Sequence, residues 1–243
     1  MLERELTLPD GRKLGYAEFG RADGHPVLYF HGSPSARLEP LLIGDEKLSR
    51  LGLRVIAPDR PGMGGSSFQA GRGFADWPAD VAALADTLGL RRFSLWGFSG
   101  GGPYVAVCTA HLPERITSAV IVSGGWRMDW PEATANQPLP NRLMLFLARR
   151  APWMLGWGLK AMAGLGQGDP EKELAQMKNR VSPPDYAWFA EDSSRFATLG
   201  RILRESLRAG TRGAVWDLRL YVREFDFSPA GVRRPRTWFH GRE

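Results

Sequence analysis

At 243 residues with 43% hydrophobic side chains, the chain suits one sizeable α/β domain and is short for two. Its formal net charge is +6, but the 27 arginines and five lysines are scattered, and no basic block interleaved with aromatics points to nucleic acid. The single cysteine, Cys108, excludes an internal disulfide, no run of about 18 apolar residues suggests a membrane span, and Met1-Leu2-Glu3-Arg4-Glu5 resembles no leader, so a cytoplasmic protein with neither nucleic-acid nor membrane partner is expected.

Residues 3 to 8 and 12 to 19 alternate in polarity on either side of Pro9-Asp10-Gly11, the pattern of an antiparallel hairpin at a sheet edge. Pro26-Val27-Leu28-Tyr29-Phe30 is a continuous apolar run that predicts a strand buried on both faces, ending at His31-Gly32-Ser33-Pro34. A helix is predicted near residues 37 to 51 and a second central strand over 53 to 57. Pro58-Asp59-Arg60-Pro61-Gly62-Met63-Gly64-Gly65-Ser66 reads as a long loop. Val81, Leu84, Ala85 and Leu88 then fall at helical spacing, with Gly89 as the stop.

Phe93-Ser94-Leu95-Trp96 predicts another strand and Pro103-Tyr104-Val105-Ala106-Val107 a helix. Between them lies Gly97-Phe98-Ser99-Gly100-Gly101. A serine at so tight a strand-to-helix turn is held in a strained conformation, its hydroxyl lifted clear of the backbone. Gly97 and Gly101 leave room where the helix passes close to the strand, and the amides of the first helical turn can stabilise developing negative charge. These residue types suit a nucleophile. The bland alternative is a turn without chemistry, in which Ser99→Ala alters nothing but stability. Cys108, on the same helix, reads as a small buried apolar residue.

Residues 116 to 122 predict a further buried strand, and strands alternating with helices imply a mostly parallel sheet flanked by helices. From residue 126 to about 230 the pattern is helical, as at 141 to 150, 171 to 180 and 198 to 209. This insertion carries Trp126, Trp130, Trp153, Trp157, Trp188 and Trp216, and is expected to form a helical cap whose aromatic residues shape an apolar pocket. Residues 235 to 241 predict a last strand. The expected organisation is a core of residues 1–125 and 231–243 and a cap of residues 126–230.

With His31-Gly32, the loop from Pro58 to Gly64, the Gly-Phe-Ser-Gly-Gly elbow and Trp238-Phe239-His240-Gly241 in that order, nearly the whole chain resembles the α/β-hydrolase superfamily. Among its members it is most similar to capped hydrolases of the proline-iminopeptidase and esterase type. The resemblance implies Ser99 as nucleophile, with Ser33 and Gly100 supplying the oxyanion-hole amides, Ser33 through its N–H rather than its hydroxyl. Serine rather than aspartate at the elbow argues against dehalogenase and epoxide-hydrolase chemistry. No cofactor or metal is expected, and the implied substrate is a small-molecule ester, amide or short peptide.

The family order of nucleophile, acid and histidine is not completed here. Arg242-Glu243 stand where the acid loop begins, so the C-terminal strand and helix, and the catalytic histidine, are expected to be missing. His25, His31, His111 and His240 each lie away from the family's histidine position. Asp129, after the strand at 116–122, is one candidate acid and Glu243 another. Glu171, Glu173, Glu191 and Asp192 are candidates for holding the amine of a peptide substrate, or simply a solvated face. The reading is a serine hydrolase with its base, and its usual acid, absent from this chain; the alternative is a crippled or non-catalytic protein that keeps only the pocket. An uncovered edge strand at 235–240 predicts a monomer or weak self-association.

Overall fold

In a computed structural model of the chain, residues 1–135, 137–164, 168–178, 181–228 and 236–239 are described. Among them, β1 (Leu2–Thr7), β2 (Lys13–Gly20), β3 (His25–Phe30), β4 (Leu53–Pro58), β5 (Phe93–Phe98), β6 (Ile116–Val122) and β7 (Arg236–Phe239) form one sheet in the order β1-β2-β4-β3-β5-β6-β7. The β1/β2 and β2/β4 pairs are antiparallel and all others parallel. The sheet is therefore mostly parallel, with the expected hairpin at one edge and β7 as the last described strand at the other.

Strands β3 and β4 bury both faces, as the apolar runs Val27 to Phe30 and Val55 to Ala57 require. Leu28 and Phe30 of β3 and Ile56 of β4 enter a core with α2 (Trp77–Thr87) and α3 (Gly102–His111). Their neighbours Val27, Tyr29, Val55 and Ala57 point to the opposite face and meet Leu48 of α1 (Asp45–Arg50). Cys108 is buried within the first of these cores. The helix expected over residues 37 to 51 is two pieces, a 3₁₀ turn at Glu39–Leu42 and α1. They are separated at Gly44, whose φ of 97° no helix contains.

Between β6 and β7 run α4 (Pro131–Ala135), α5 (Leu139–Arg150), α6 (Pro152–Met162), α7 (Pro170–Met177), α8 (Pro183–Ala190), α9 (Ser194–Ser206) and α10 (Arg212–Tyr221). Prolines punctuate them: Pro152 and Pro170 open α6 and α7, where a missing N–H costs nothing. Asp169 caps α7 by accepting from the amides of Glu171 and Lys172. Leu145 and Ala148 of α5, Leu155 and Leu159 of α6, and Ala214 and Leu218 of α10 pack together over Met63 of the long loop. The last helix reaches deeper, for Leu220 and Tyr221 belong to the main core against the sheet.

That packing turns two of the tryptophans expected to shape the pocket, Trp153 and Trp157, outward. Trp153 and Trp157 share one face of α6, stack edge to face at 5.2 Å and are 61% and 72% exposed, because Leu155 and Leu159 take the inward positions. No helix among the described residues is long and apolar enough to cross a membrane. His240, Gly241, Arg242 and Glu243 lie outside the described residues, as do residues 229–235.

Candidate active site

Ser99 follows the last residue of β5 and opens a 3₁₀ turn, Ser99–Gly101, that runs directly into α3. Its φ is +49°, a left-handed conformation that costs a non-glycine residue roughly 1–3 kcal/mol. The chain can turn this sharply because nothing larger than hydrogen stands at its crossing points. A Cβ on Gly101 would lie 2.0 Å from the carbonyl oxygen of Phe30, and one on Gly97 would lie 2.7 Å from Val105 Cγ2. On the far side, the Gly125 amide donates to the Ser99 carbonyl at 2.8 Å, tying the end of β6 to the elbow. The Ser99 side chain faces a cavity of about 310 Å³ lined also by Ser33, Gly100, Ser123, Met128, Gln137, Asn141, Met144, Leu145, Leu218 and Tyr221.

The loop after β3 passes beside the elbow. A Cβ placed on Gly100 would meet Ser33 Cβ at 2.8 Å and the Ser33 amide nitrogen at 3.1 Å, so these two residues approach more closely than any side chain would permit. The Ser33 N–H has no acceptor among the described residues. Gly100 stands in a first helical turn, where amides have no intrahelical partner. The elbow and the loop thus bring Ser33 and Gly100 together at the cavity. No hydrogen-bond partner of the Ser99 hydroxyl occurs among the described residues.

Buried charges hold that loop. Arg60, fully buried, donates to the carbonyls of His31 and Gly32. Glu39, in the 3₁₀ turn, accepts from the Gly32 amide at 2.9 Å and from the Tyr29 hydroxyl at 2.8 Å, and its carboxyl is pushed up by burial. Asp217 of α10 is also fully buried. Its Oδ2 accepts from Ser33 Oγ at 2.6 Å and Arg60 Nη2 at 3.0 Å, and its Oδ1 from Arg72 Nη2 at 2.8 Å and from the Tyr104 hydroxyl. Burial by itself would raise the Asp217 carboxyl; the charges of Arg60 and Arg72, with the bonds from Ser33 and Tyr104, outweigh it and hold the carboxyl well below the ordinary carboxylate range. A second ionic cluster ties the loop from Pro58 to Gly64, where the buried Asp59 accepts from the Arg37 amide at 2.6 Å and guanidinium at 2.7 Å.

Of the residues singled out from the sequence, Ser99, Ser33 and Gly100 meet at this cavity. Asp129 does not line it: it faces a neighbouring groove with Trp130, Arg142 and Phe146 and is paired with Arg127 at 2.6 Å, whose hydrogen bond lowers its pKa. None of Glu171, Glu173, Glu191 and Asp192 lines the cavity, nor do the tryptophans or, among the described residues, any histidine. His31 is buried; because a carbonyl only accepts, the bond from Nδ1 to Gly32 O at 2.8 Å places the proton on Nδ1. Burial and the Arg60 charge hold its pKa well below 6.5, so it is neutral. His25 of β3 pairs with Ser94 Oγ of β5 at 2.8 Å, and His111 is exposed at the end of α3. His240 and Glu243 lie outside the described residues.

Asp217, Tyr221 and Ser123 are site residues that the sequence reading missed. The available signal was a carboxylate placed on the apolar face of α10, between Ala214 and Leu218 on one side and Tyr221 on the other.

Residues 25–215 match the family model described as alpha/beta hydrolase fold. The chain belongs to that family. Within it, this hydrolase-fold chain is 37% identical over 126 residues to a non-heme chloroperoxidase of Streptomyces lividans, a match covering 49% of this chain and 43% of that relative's length. The alpha/beta hydrolase fold protein from Nakamurella multipartita superposes with a TM-score of 0.64 at 24% identity, covering 98% of this chain and 80% of that one. A thermophilic esterase from Thermogutta terrifontis superposes with a TM-score of 0.67 at 20% identity, over 99% and 80% of the two chains. At these identities the structures establish the shared hydrolase fold.

Proposed function

We propose that the chain is a serine hydrolase that takes the acyl group of a small carboxylic ester or amide onto Ser99. The observation that carries the reading is the left-handed Ser99 at the strand-to-helix elbow, its hydroxyl without a partner among the described residues, on a cavity that Ser33 and Gly100 line in close approach to each other. In the reaction, Ser99 Oγ attacks the carbonyl carbon and the carbonyl oxygen gains negative charge. The Ser33 and Gly100 N–H groups lie where they can donate to that oxygen as the charge forms. The alcohol or amine then leaves with a proton, and water releases the acid.

The proton carrier in this scheme is a base outside the described residues, and so is its acid partner. Asp129 remains a weaker proposal for the acid, since it is already paired with Arg127. The lining favours a modest substrate: Met128, Met144, Leu145 and Leu218 offer an apolar wall, and Gln137 and Asn141 neutral polar contacts. Proline-iminopeptidase-like use on short peptides is disfavoured by the absence of a carboxylate from the lining among the described residues. The absence of a histidine from the described lining favours a second reading, a protein that keeps the pocket without turnover.

Turnover of a short-chain nitrophenyl ester by the folded chain and by Ser99→Ala tests the assignment. Multiple turnovers abolished by the substitution support a hydrolase. Turnover that survives Ser99→Ala excludes Ser99 as the nucleophile. A folded chain that binds ester analogues without turning them over supports the second reading. Chloroperoxidase activity, named in the Streptomyces relative, is measured in the same pair.

A further inference from the structure

Helix α10 enters the site from the insertion and touches both halves of the amide pair. Asp217 and Tyr221 are four residues apart, hence one turn apart on one face of the helix. Asp217 accepts the Ser33 hydroxyl at 2.6 Å. Tyr221 donates its hydroxyl to the Gly100 carbonyl and would meet a Cβ on Gly100 at 2.8 Å. Leu218, between them, lines the cavity itself. The other polar anchors of the loop come from elsewhere: Arg60 holds the His31 and Gly32 carbonyls, and Glu39 holds the Gly32 amide. Among the described residues, the anchor on the Ser33 side chain therefore comes from α10.

Resting on the serine-hydrolase reading, we propose that Asp217 and Tyr221 are positioning residues that set the separation and aim of the Ser33 and Gly100 amides, Asp217 through the Ser33 hydroxyl and Tyr221 through the Gly100 carbonyl. The Ser33 side chain is thus a working part of the oxyanion hole through the aim it gives its own amide. The carboxylate is fixed from three other directions, by Arg60, Arg72 and Tyr104, and so presents a rigid acceptor. Tyr221 is buried and has one rotatable polar atom, which suits a spacer of fixed length. Because both grips sit on one helix, a shift of α10 alters the spacing of the two donors together. The insertion and the nucleophile are coupled by this route without any insertion residue taking part in bond making.

The test uses the full chain and a fluorophosphonate, in which Ser99 Oγ forms a bond to phosphorus, fluoride leaves, and the serine proton passes to solvent or buffer base. The phosphoryl oxygen of the adduct occupies the place of the oxyanion. Ser99→Ala identifies labelling at the right residue. Ser33→Ala and Tyr221→Phe each delete one grip with little change of volume. Each is expected to lower the maximal labelling rate roughly 10- to 100-fold, as a displaced donor does, with the half-saturating reagent concentration unchanged. Ser33→Thr, which keeps the hydroxyl, is expected to recover most of the rate. Labelling of both deletion variants at the parent rate overturns the proposal.

A second readout is independent of reactivity. In 15N-labelled protein, Tyr221→Phe is expected to shift the Gly100 and Gly101 amide resonances, and Asp217→Asn, where it folds, the Ser33 amide. Unshifted resonances in folded variants overturn the proposal whatever the labelling shows. If the parent is not labelled at all while the resonances shift as expected, the hydrolase reading fails and the clamp stands.

Discussion

Asp217→Ala is the perturbation whose cost the structure defines best. It leaves Arg60, fully buried, and Arg72, 2% exposed, without their shared anion, and strands the hydroxyls of Ser33 and Tyr104. The guanidinium Nε atoms of both arginines already lack hydrogen-bond partners among the described residues, so Asp217 carries much of their compensation. Removing one partner of a buried ion pair costs about 3–5 kcal/mol. Against an ordinary total of about 5–15 kcal/mol this is a large fraction of the fold's stability. At about 2–4 °C per kcal/mol for a chain of this size, the melting temperature should fall by roughly 6–20 °C. Urea unfolding followed by tryptophan fluorescence measures it directly, the chain having nine tryptophans to report. Asp217→Asn, which keeps one acceptor and the volume, should lose less. The double variant Asp217→Leu with Arg72→Met should regain part of the loss, because one stranded cation is gone as well. A drop below about 1 kcal/mol for Asp217→Ala, at an unchanged denaturant slope, would refute the view that this carboxylate holds the arginines.

Ser99→Gly should be more stable than Ser99→Ala by about 1 kcal/mol, because glycine takes a φ of +49° without strain; equal midpoints in urea would show that the elbow stores none. His31 is neutral in the fold and has its pKa lowered by burial, whereas in the unfolded chain it takes up a proton near pH 6.5. The unfolded state thus binds more protons below that pH, and the His31 contribution, complete above about 6.5, is lost at about 1.4 kcal/mol per unit as pH falls. Comparing unfolding free energies at pH 7 and 5 for the parent and His31→Gln isolates it, and a parent that loses no more than the variant contradicts the assignment. Trp153→Ser and Trp157→Ser, at exposed positions, should alter stability by less than about 0.5 kcal/mol and leave labelling of Ser99 unchanged. A reduced labelling rate in either would return the tryptophans to the pocket.

Much of this architecture is written locally. Val27 to Phe30 and Val55 to Ala57 are apolar without interruption, and a strand buried on both faces is the structure that uses such a run. The elbow is legible because its glycines sit where a strand and a helix cross, and its serine is the one residue there with a nucleophilic atom. Three helical stretches between β6 and β7, at 141 to 150, 171 to 180 and 198 to 209, are readable from the sequence, but the facing of the helices is not. Trp153 and Leu155 differ by two positions on α6, and only the location of Met63 and α10 decides which of them turns inward. The helix expected over residues 37 to 51 failed for a local reason that periodicity overlooks, a glycine at left-handed φ.

The polar framework around Ser99 lies beyond local reading altogether. Asp217 meets Ser33 across 184 positions of sequence, Arg60 across 157 and Arg72 across 145. In the sequence each is an ordinary charged residue in a loop or on a helix, and burial of a charge becomes favourable only when its partners arrive from other segments at hydrogen-bond distance. The individual strands and the nucleophile's turn follow from short-range steric and hydrophobic patterns, which a sequence states directly, whereas the place of β4 between β2 and β3 does not. The grip of α10 on Ser33 and Gly100 depends on how a helix from the insertion settles against the loop after β3, and long-range packing alone determines that.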